Sequence, residues 1–321
     1  MSTSPQRRTV EANGIHMHLA EQGEGPLVLL CHGFPESWYS WRHQLRALAA
    51  AGFRAVAPDM RGYGQTDAPA EIERYTMLHL VGDMVGLLDT LGAESAAIVG
   101  HDWGAPVAWH AALLRPDRFR AVAALSVPFR GRAPAPPTTL MPRTPDRVFY
   151  QLYFQEPGVA EAELERDVRT TIRTLLHAGG GEGIAANGAA FMVPRGGGFL
   201  SGMQPPVTLP PWLTEADVDV FATELGRRGF RGGLNYYRNV DRSWELLAPF
   251  AGLPITVPAL FACGDRDLVA VGAGGAEKLV ASMSRSVPGL RSLILPGCGH
   301  WTQQERPEEI NAALIDFLRP G

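Results

Sequence analysis

The stretch 95-SAAIVGHDWG-104 combines a short apolar run, a tight turn and the start of a helical segment. Its residues 96–99 are continuously apolar, which is typical of a strand buried on both faces of a parallel sheet. Gly100 and Gly104 enclose the turn, and glycines at this spacing indicate a backbone that leaves no room for side chains beside it. The sequence therefore predicts a sharp strand-to-helix turn with Asp102 at its apex.

Buried strands and helices alternate on both sides of this turn. The strands are predicted at 26–31, 53–58, 95–100, 121–126, 257–263 and 291–295. The helices are predicted at about 37–51, 75–91, 103–114, 274–284 and 307–318. A hairpin is predicted at 9–20, with Asn13-Gly14 as its turn. This alternation predicts an α/β fold, with a mostly parallel central sheet flanked by helices on both faces.

The alternation stops after Val127 and returns near residue 246. Helical segments are predicted between these points, at 161–177, 214–228 and 234–247. We therefore expect an α/β core formed by residues 1–127 and 246–321, with an inserted and mainly helical cap at 128–245.

One part of this cap, residues 178–211, is crowded with glycine and proline. Connections between elements of a compact domain are usually short, and this stretch is far longer. We expect it to form a mobile surface loop or the edge of a lid.

Composition and charge narrow the class of protein. Apolar residues make up 45% of the chain and charged residues 19%, the balance of a soluble globular protein with a sizeable core. The net charge of −4 gives no electrostatic reason to expect a nucleic acid or an anionic membrane as partner. No apolar run approaches the roughly 20 residues that span a bilayer, and the first residues lack the apolar segment of a secretory signal. The cysteines Cys31, Cys263 and Cys298 have no metal-ligand spacing, so a cytoplasmic, reducing location is expected.

The motif 32-HGFP-35 follows the predicted strand next to the one that leads to Asp102. Its glycine and proline impose a tight turn that could aim the backbone N–H of Phe34 at the space above Asp102. Together with the N–H of Trp103, it would form an oxyanion hole. Alone the motif is a weak signal, because turns with glycine and proline are common after strands.

Asp102 itself has two interpretations. An aspartate between a strand and a helix often caps the helix, whereas at a nucleophile elbow it is held above the sheet to attack a substrate. An acid, Asp267 with Asp265 as the alternative, follows a later strand, and His300 lies in a glycine-rich turn after the last one. Asp102, Asp267 and His300 thus follow the order nucleophile, acid, base at predicted strand ends, where open α/β sheets place their sites. The agreement favours a catalytic triad.

Several longer stretches match those of one enzyme family. They are 32-HGFPESWYSWRHQ-44, 59-DMRGYGQTD-67, 100-GHDWG-104, 150-YQLYFQEPGVAEAELE-165, 229-GFRGGLNYYRN-239 and 297-GCGHWTQQERPEEIN-311. With these stretches the sequence resembles the soluble epoxide hydrolases of the α/β-hydrolase fold, from about residue 10 to 319. The likeness is to the one-domain form, without the N-terminal phosphatase-like domain of some animal members.

The resemblance implies a reaction and its participants. The carboxylate of Asp102 would open a small apolar epoxide and form an ester with it. Water activated by His300, which Asp267 orients, would then hydrolyse the ester to a vicinal diol. The family uses neither a metal nor an organic cofactor, so none is expected.

The resemblance also implies two cap tyrosines that assist ring opening. They fall on Tyr150 and Tyr237, with the neighbours Tyr153 and Tyr236 as alternatives. The aromatic residues that suggest an apolar substrate pocket, with core packing as the alternative, are Trp38, Phe154 and Phe191.

Other functions are open to the same scaffold. Haloalkane dehalogenases share the triad but need donors for a departing halide, often near the oxyanion turn, where this sequence has Phe34. Fluoroacetate dehalogenase places an arginine where this sequence has Trp103. A small-molecule receptor on this scaffold is the alternative from a different class, although such proteins often lose a catalytic residue. Oligomeric state is left open, with a homodimer as one option, and no stable membrane association is expected.

Overall fold

The computed structural model of the protein describes residues 4–186 and 191–319. Its strands are β1 Gln6–Ala12, β2 Ile15–Gln22, β3 Leu27–Cys31, β4 Arg54–Pro58, β5 Ala96–His101, β6 Phe119–Leu125, β7 Arg147–Phe149, β8 Met192–Pro194, β9 Ala259–Gly264 and β10 Arg291–Leu295. Within the described residues, the main sheet has eight strands in the order β1-β2-β4-β3-β5-β6-β9-β10. Its first two pairings are antiparallel and the rest are parallel, which confirms the predicted α/β class.

Helices cover both faces of this sheet. They are α1 Arg42–Ala50, α2 Met77–Thr90, α3 Gly104–Leu114, α4 Pro137–Leu140, α5 Tyr150–Tyr153, α6 Val159–Leu164, α7 Val168–Gly179, α8 Gly181–Ala186, α9 Glu215–Gly226, α10 Arg231–Arg238, α11 Val240–Leu246, α12 Leu268–Gly272, α13 Ala276–Ser282, α14 Thr302–Glu305 and α15 Pro307–Leu318. Helices α2 and α3 pack on one face, and α1 and α15 pack on the other.

Strand β3 shows why its sequence is apolar without a break. Leu27, Leu29 and Cys31 face the apolar cluster that includes α2 and α3. Val28 and Leu30 face the cluster that includes α1 and α15. Because successive side chains of a strand point to opposite faces, a strand between two helix layers needs apolar residues at every position.

The predicted hairpin is present, with strands β1 and β2 joined by Asn13 and Gly14. Both turn residues have positive φ angles, of 52° and 72°. A two-residue turn of this kind matches the right-handed twist of the strands, which is why asparagine followed by glycine is favoured there.

Some predicted helices are divided in the structure. The helix predicted at 161–177 is two helices, α6 and α7, because the side chain of Asp167 accepts a hydrogen bond from the N–H of Thr170 and caps the second one. The helix predicted at 37–51 starts as a 3-10 turn, Trp38–Trp41, before α1 begins.

The segment between β6 and β9 holds helices α4 to α11 and the antiparallel pair β7 and β8. It is mainly helical, and it covers the carboxyl ends of the parallel strands where Tyr237 of α10 meets Trp103. Its division from the core at residues 128 and 245 stays a prediction.

In the described residues, the stretch 178–211 is not one continuous loop, whereas its expected mobility and its place at a lid edge stay predictions; positions 187–190 lie outside the described residues. Helix α7 extends to Gly179, and α8 and β8 follow within the stretch. A Cβ atom on Gly179 would lie 2.8 Å from the indole nitrogen of Trp301, and one on Gly299 would overlap the backbone N of Gly181. The glycines therefore allow two backbones to approach closely, a use that composition alone does not separate from flexibility.

In the described residues, no helix is both long enough and apolar enough to cross a bilayer.

Candidate active site

Asp102 occupies the apex of the turn between β5 and α3. Its φ angle is 48°, in the left-handed region that non-glycine residues adopt rarely, and aspartate is one of the side chains that tolerate it. A Cβ on Gly104 would overlap the carbonyl oxygen of Cys31, and one on Gly100 would overlap that of Gly104. Both glycines are thus required by close backbone contacts. The turn raises the carboxylate above the carboxyl edge of the sheet.

The carboxylate of Asp102 does not cap the helix. Trp103 is the N-cap of α3, and no side-chain cap is present there. Instead, the backbone N–H of Phe34 donates to Asp102 Oδ1 at 2.7 Å, and His300 Nε2 lies 3.3 Å from Oδ2. A Cβ on Gly33 would collide with this carboxylate. The turn of 32-HGFP-35 can therefore approach Asp102 this closely only because residue 33 is glycine.

His300 lies between two carboxylates. Its Nδ1 is 3.2 and 3.1 Å from the two carboxylate oxygens of Asp267, which is fully buried and whose Oδ1 also accepts the N–H of Val269. The alternative acid, Asp265, accepts the backbone N–H of Gly297 instead. The structure therefore brings Asp102, His300 and Asp267 together and leaves Asp265 outside the group.

The charges around His300 favour its protonated form. Burial acts to lower the pKa of His300, but the charge of Asp267 and the hydrogen bonds to Asp102 and Asp267 raise the pKa well above its ordinary value. The imidazole is therefore protonated at neutral pH. Any change that neutralises Asp102 removes part of this upward shift.

Sequence reasoning missed a buried group that holds the backbone of His300. The carbonyl oxygen of His300 accepts hydrogen bonds from His101 Nε2 and Ser126 Oγ, both at 2.7 Å. His101 Nδ1 in turn lies 2.8 Å from Glu36 Oε2, which also accepts the N–H of Gly33. Glu36 thus connects the oxyanion turn with the segment that carries His300.

Glu36 is fully buried and remains ionised. Burial acts to raise its pKa, but the charge of His101 and the hydrogen bond from His101 lower that pKa to about 2. Its other oxygen accepts the side-chain amides of Gln303 and Gln304. The signal in the sequence was an acidic residue inside 32-HGFPESWYSWRHQ-44 that is surrounded by apolar and aromatic side chains.

The two predicted oxyanion donors lie beside Asp102. The N–H of Phe34 points at its carboxylate. Trp103 follows it in the chain, and as the N-cap of α3 its backbone N–H has no partner within the helix. The carbonyl oxygen of an ester on Asp102 can accept hydrogen bonds from the N–H groups of both Phe34 and Trp103.

Tyr150 and Tyr237 face each other above this carboxylate. Their rings are 5.8 Å apart at 75°. Tyr237 also packs edge-on against Trp103 and Phe34. Burial and the charge of Asp102 raise the pKa of Tyr150, and burial with the charges of Tyr150 and Asp102 raises that of Tyr237. Both phenols therefore keep their protons and can donate them.

The neighbouring tyrosines have other partners. The hydroxyl of Tyr153 donates to Glu163 at 2.9 Å, and that of Tyr236 donates to the carbonyl oxygen of Arg61 at 2.9 Å. Tyr236 is buried against the core and fixes α10 there. Neither hydroxyl is directed at Asp102.

Of the three predicted pocket residues, two reach the site. Phe154 is fully buried and packs against Phe34, Tyr150 and Tyr237, with ring centroids 5.1–5.9 Å away. The ring of Phe191 lies 5.3 Å from that of Tyr150. Phe199, which sequence reasoning missed, stacks on Tyr150 at 5.6 Å.

Trp38 is the exception, and its prediction as a pocket residue is wrong. It belongs to the apolar cluster on the α1 and α15 face of the sheet, where it packs edge-on against Tyr39. Its far side lines a surface groove with Arg7. The 3-10 turn that follows the HGFP motif carries Trp38 away from the carboxyl edge of the sheet.

Among residues 4–186 and 191–319, no three histidine, cysteine, aspartate or glutamate side chains are grouped so that they could hold a metal ion.

Comparison with known proteins shows which proteins this chain is similar to. A family model of the alpha/beta hydrolase fold matches residues 26–307. Epoxide hydrolase A of Mycobacterium tuberculosis is 46% identical over 320 residues, which cover 98% of both chains. Epoxide hydrolase 3 of Siraitia grosvenorii is 46% identical over 97% of both chains. A solved epoxide hydrolase from an endophytic Streptomyces superimposes with a TM-score of 0.94 at 48% identity, covering 99% of this chain and 96% of the other.

Proposed function

Because this chain belongs to the epoxide hydrolases of the alpha/beta hydrolase fold, we propose that it hydrolyses its epoxide through a covalent ester on Asp102. The two half-reactions use different parts of the site. Ring opening uses Asp102 with Tyr150 and Tyr237, and ester hydrolysis uses His300 with Asp267.

In the first step, an oxygen of Asp102 forms a bond to one epoxide carbon as the bond from that carbon to the ring oxygen breaks. The ring oxygen takes the electron pair and accepts a proton from a hydroxyl of Tyr150 or Tyr237. A carboxylate suits this attack because it is ionised at neutral pH without a base. The tyrosines suit the protonation of the ring oxygen because their raised pKa values keep a proton on each hydroxyl until it is donated.

In the second step, the ester no longer carries the charge of Asp102, so the pKa of His300 falls. The proton that His300 releases restores the tyrosine, and the neutral imidazole then takes a proton from water. The hydroxide adds to the ester carbonyl, and the oxyanion accepts hydrogen bonds from the N–H groups of Phe34 and Trp103. Collapse breaks the bond to the diol oxygen, which takes the remaining hydroxyl proton, and the carboxylate is restored.

The observation that carries the choice of an epoxide is the pair of phenols, Tyr150 and Tyr237, which pack against each other and keep their protons near Asp102. An alkoxide needs a proton as it forms, whereas a halide leaves without one. A halide site would need N–H donors, but the side chain at the oxyanion turn is Phe34, and the ring of Trp103 packs edge-on against that of Tyr237. These contacts support epoxide opening over dehalogenation.

The substrate that fits these walls is a small apolar epoxide, because Phe34, Phe154 and Phe199 supply apolar rings around the tyrosines. The thiols of Cys31, Cys263 and Cys298 are free and buried, which supports a reducing, cytoplasmic location. A homodimer stays a prediction from the sequence.

A single turnover in H₂¹⁸O tests the proposal. With enzyme in excess over an aryl epoxide, the first diol should contain no ¹⁸O, and the peptide that contains Asp102 should gain it, because water attacks the ester carbonyl. Peptide and diol masses measure both. Label in the first diol would indicate direct attack of water and contradict the ester. Turnover of matched haloalkanes but of no epoxide would transfer the assignment to a dehalogenase.

The pH dependence of ester hydrolysis provides a second test. We expect its rate constant to rise with pH and level off, with an apparent pKa below that of His300 in the free enzyme, because esterified Asp102 no longer contributes to the upward shift. Single-turnover kinetics measure the first pKa, and NMR of the His300 ring measures the second. If the two pKa values were equal, esterification of Asp102 would not lower the pKa of His300, and the proposed deprotonation of His300 in the ester would be contradicted.

The same shift has a consequence for stability. Since the pKa of His300 is raised by folding, its protonation stabilises the folded protein fully below the unfolded value of about 6.5. This contribution is lost as the pH rises through the folded-state pKa. In Asp267→Asn the largest upward contribution is absent, so the pKa of His300 and the stabilisation should both fall.

A further inference from the structure

Glu305 ends α14, five residues after His300, and the proposed chemistry does not use it. Its carboxylate accepts three backbone N–H groups. Oε1 accepts the N–H of Trp301 at 3.0 Å, and Oε2 accepts those of Gly299 at 2.9 Å and Gly181 at 3.0 Å. Gly299 and Trp301 are the residues on either side of His300.

The same turn is held to the inserted segment by two other bonds. The N–H of His300 donates to the carbonyl oxygen of Gly179 at 2.8 Å, and the indole N–H of Trp301 donates to that of Leu176 at 2.7 Å. Gly179 ends α7 and Gly181 begins α8. The turn that carries the base therefore lies against the junction of two helices of the inserted segment, and the carboxylate of Glu305 joins the two.

We propose that Glu305 is a positioning residue for His300, which holds the backbone on both sides of the base and ties it to the α7–α8 junction. This inference rests on the proposed function, in which His300 activates water. Hydrogen bonds from backbone N–H groups to a carboxylate are roughly twice as strong as those between neutral groups. Three of them on one side chain fix a turn that has glycines at 297 and 299 and would otherwise be adaptable.

Both side-chain oxygens at position 305 must accept hydrogen bonds. In Glu305→Gln, the amide oxygen can accept only on its own side, and the amide NH₂ must then face at least one backbone N–H. Donor opposes donor there, so the turn loses at least one of its three bonds. The side chain keeps its length and shape, so the change isolates the loss of the acceptor.

The expected effect is confined to one half-reaction. Ring opening is carried by Asp102 and the tyrosines, whereas ester hydrolysis needs His300 within hydrogen-bond reach of the attacking water. A displaced base should therefore slow ester hydrolysis and leave ring opening nearly unchanged. A general loss of folded protein would lower the amount of ester formed but not its rate of hydrolysis.

The experiment mixes Glu305→Gln rapidly with excess aryl epoxide, quenches it at intervals and follows the ester by intact mass. We expect hydrolysis of the ester to be slower by about 10²-fold, the effect of a misplacement of about 1 Å. The ester should accumulate, and its rate of formation should match that of the wild type. Glu308→Gln is the matched control, because the same change is made at an exposed position three residues later.

Several outcomes are distinguishable. Hydrolysis as fast as in the wild type, or equal slowing of both half-reactions, would overturn the positioning role. If no ester forms in the wild type either, the proposed covalent function fails, and not this inference alone. Should Glu305→Gln fold poorly, Glu305→Asp keeps both acceptor oxygens one methylene further away. It should then show a smaller defect in hydrolysis alone, and wild-type hydrolysis in that variant would again overturn the role.

Discussion

Replacing His300 with alanine is expected to lower kcat by about 10³-fold, the range of general base catalysis, and to leave the enzyme esterified on Asp102. The reason lies in the division of labour within the site. In the proposed mechanism Asp102 is the nucleophile, and its Oδ1 is held by the N–H of Phe34, so ring opening does not need the base. Ester hydrolysis does need it, and the only imidazole in contact with Asp102 among the described residues is that of His300. Intact-mass spectrometry after incubation with an epoxide should detect an adduct of substrate mass.

The control for this result is Asp102→Ala, which should form no adduct under the same conditions. His300→Asn is a useful companion because its amide nitrogen can take the place of Nδ1 and still donate to Asp267, which is fully buried. Removing the imidazole without a replacement leaves that carboxylate with an unpaired charge and lowers stability. If His300→Ala formed no adduct while remaining folded by circular dichroism, or turned over at the wild-type rate, the covalent route would be wrong.

Loss of both tyrosine hydroxyls is the second change with a large expected effect. Each single variant, Tyr150→Phe or Tyr237→Phe, should slow ring opening by up to about 10²-fold, as for removal of one oxyanion donor. The double variant should lose at least about 10³-fold, because no donor then remains for the alkoxide. The two rings pack against each other, so one hydroxyl can partly replace the other. The loss in each single variant should therefore be smaller than the loss in the double variant.

Rapid-quench measurements of ester formation and of ester decay separate this defect from ester hydrolysis. The rate of ester hydrolysis should be unchanged. The matched controls are the adjacent residues, Tyr153→Phe and Tyr236→Phe, whose hydroxyls bond Glu163 and the carbonyl oxygen of Arg61. Tyr236→Phe should mainly lower stability, by about 1 kcal/mol for one lost hydrogen bond. If a control variant slowed ring opening as much as its neighbour does, the assignment of the hydroxyls would be reversed.

Glu36 supports two backbone segments of the site although it lies outside the space above Asp102. It is fully buried, accepts the N–H of Gly33 and lies against His101, which supports the carbonyl oxygen of His300. One carboxylate thus acts on both the oxyanion turn and the base without touching the space above Asp102. A buried ion pair of this kind is costly to break, so the turns at both ends of it are held together.

The local sequence was sufficient for the fold. Strand β3 and residues 96–99 of β5 are apolar at every position because helix layers lie on both faces, and such a run is visible without any knowledge of its neighbours. The same is true of the turn at Asp102, where Gly100 and Gly104 are required by contacts within a few residues or with the adjacent strand. Chain order then placed Asp267 and His300 at neighbouring strand ends, since parallel strands all end at one edge of the sheet.

Tertiary structure decided which member of each close pair reaches the site. Tyr236 and Tyr237 are adjacent in one helix and differ by about 100° around its axis. The hydroxyl of Tyr236 therefore donates to the carbonyl oxygen of Arg61, while the ring of Tyr237 packs against Trp103, the residue after Asp102. Tertiary structure also removed Trp38 from the pocket and turned the glycine-rich stretch after residue 178 into a packed junction. These outcomes depend on partners that are distant in the chain, and periodicity and motifs describe only a residue's own neighbourhood. The sequence by itself therefore determined the fold and the triad, while the approach of the inserted segment decided which side chains complete the site.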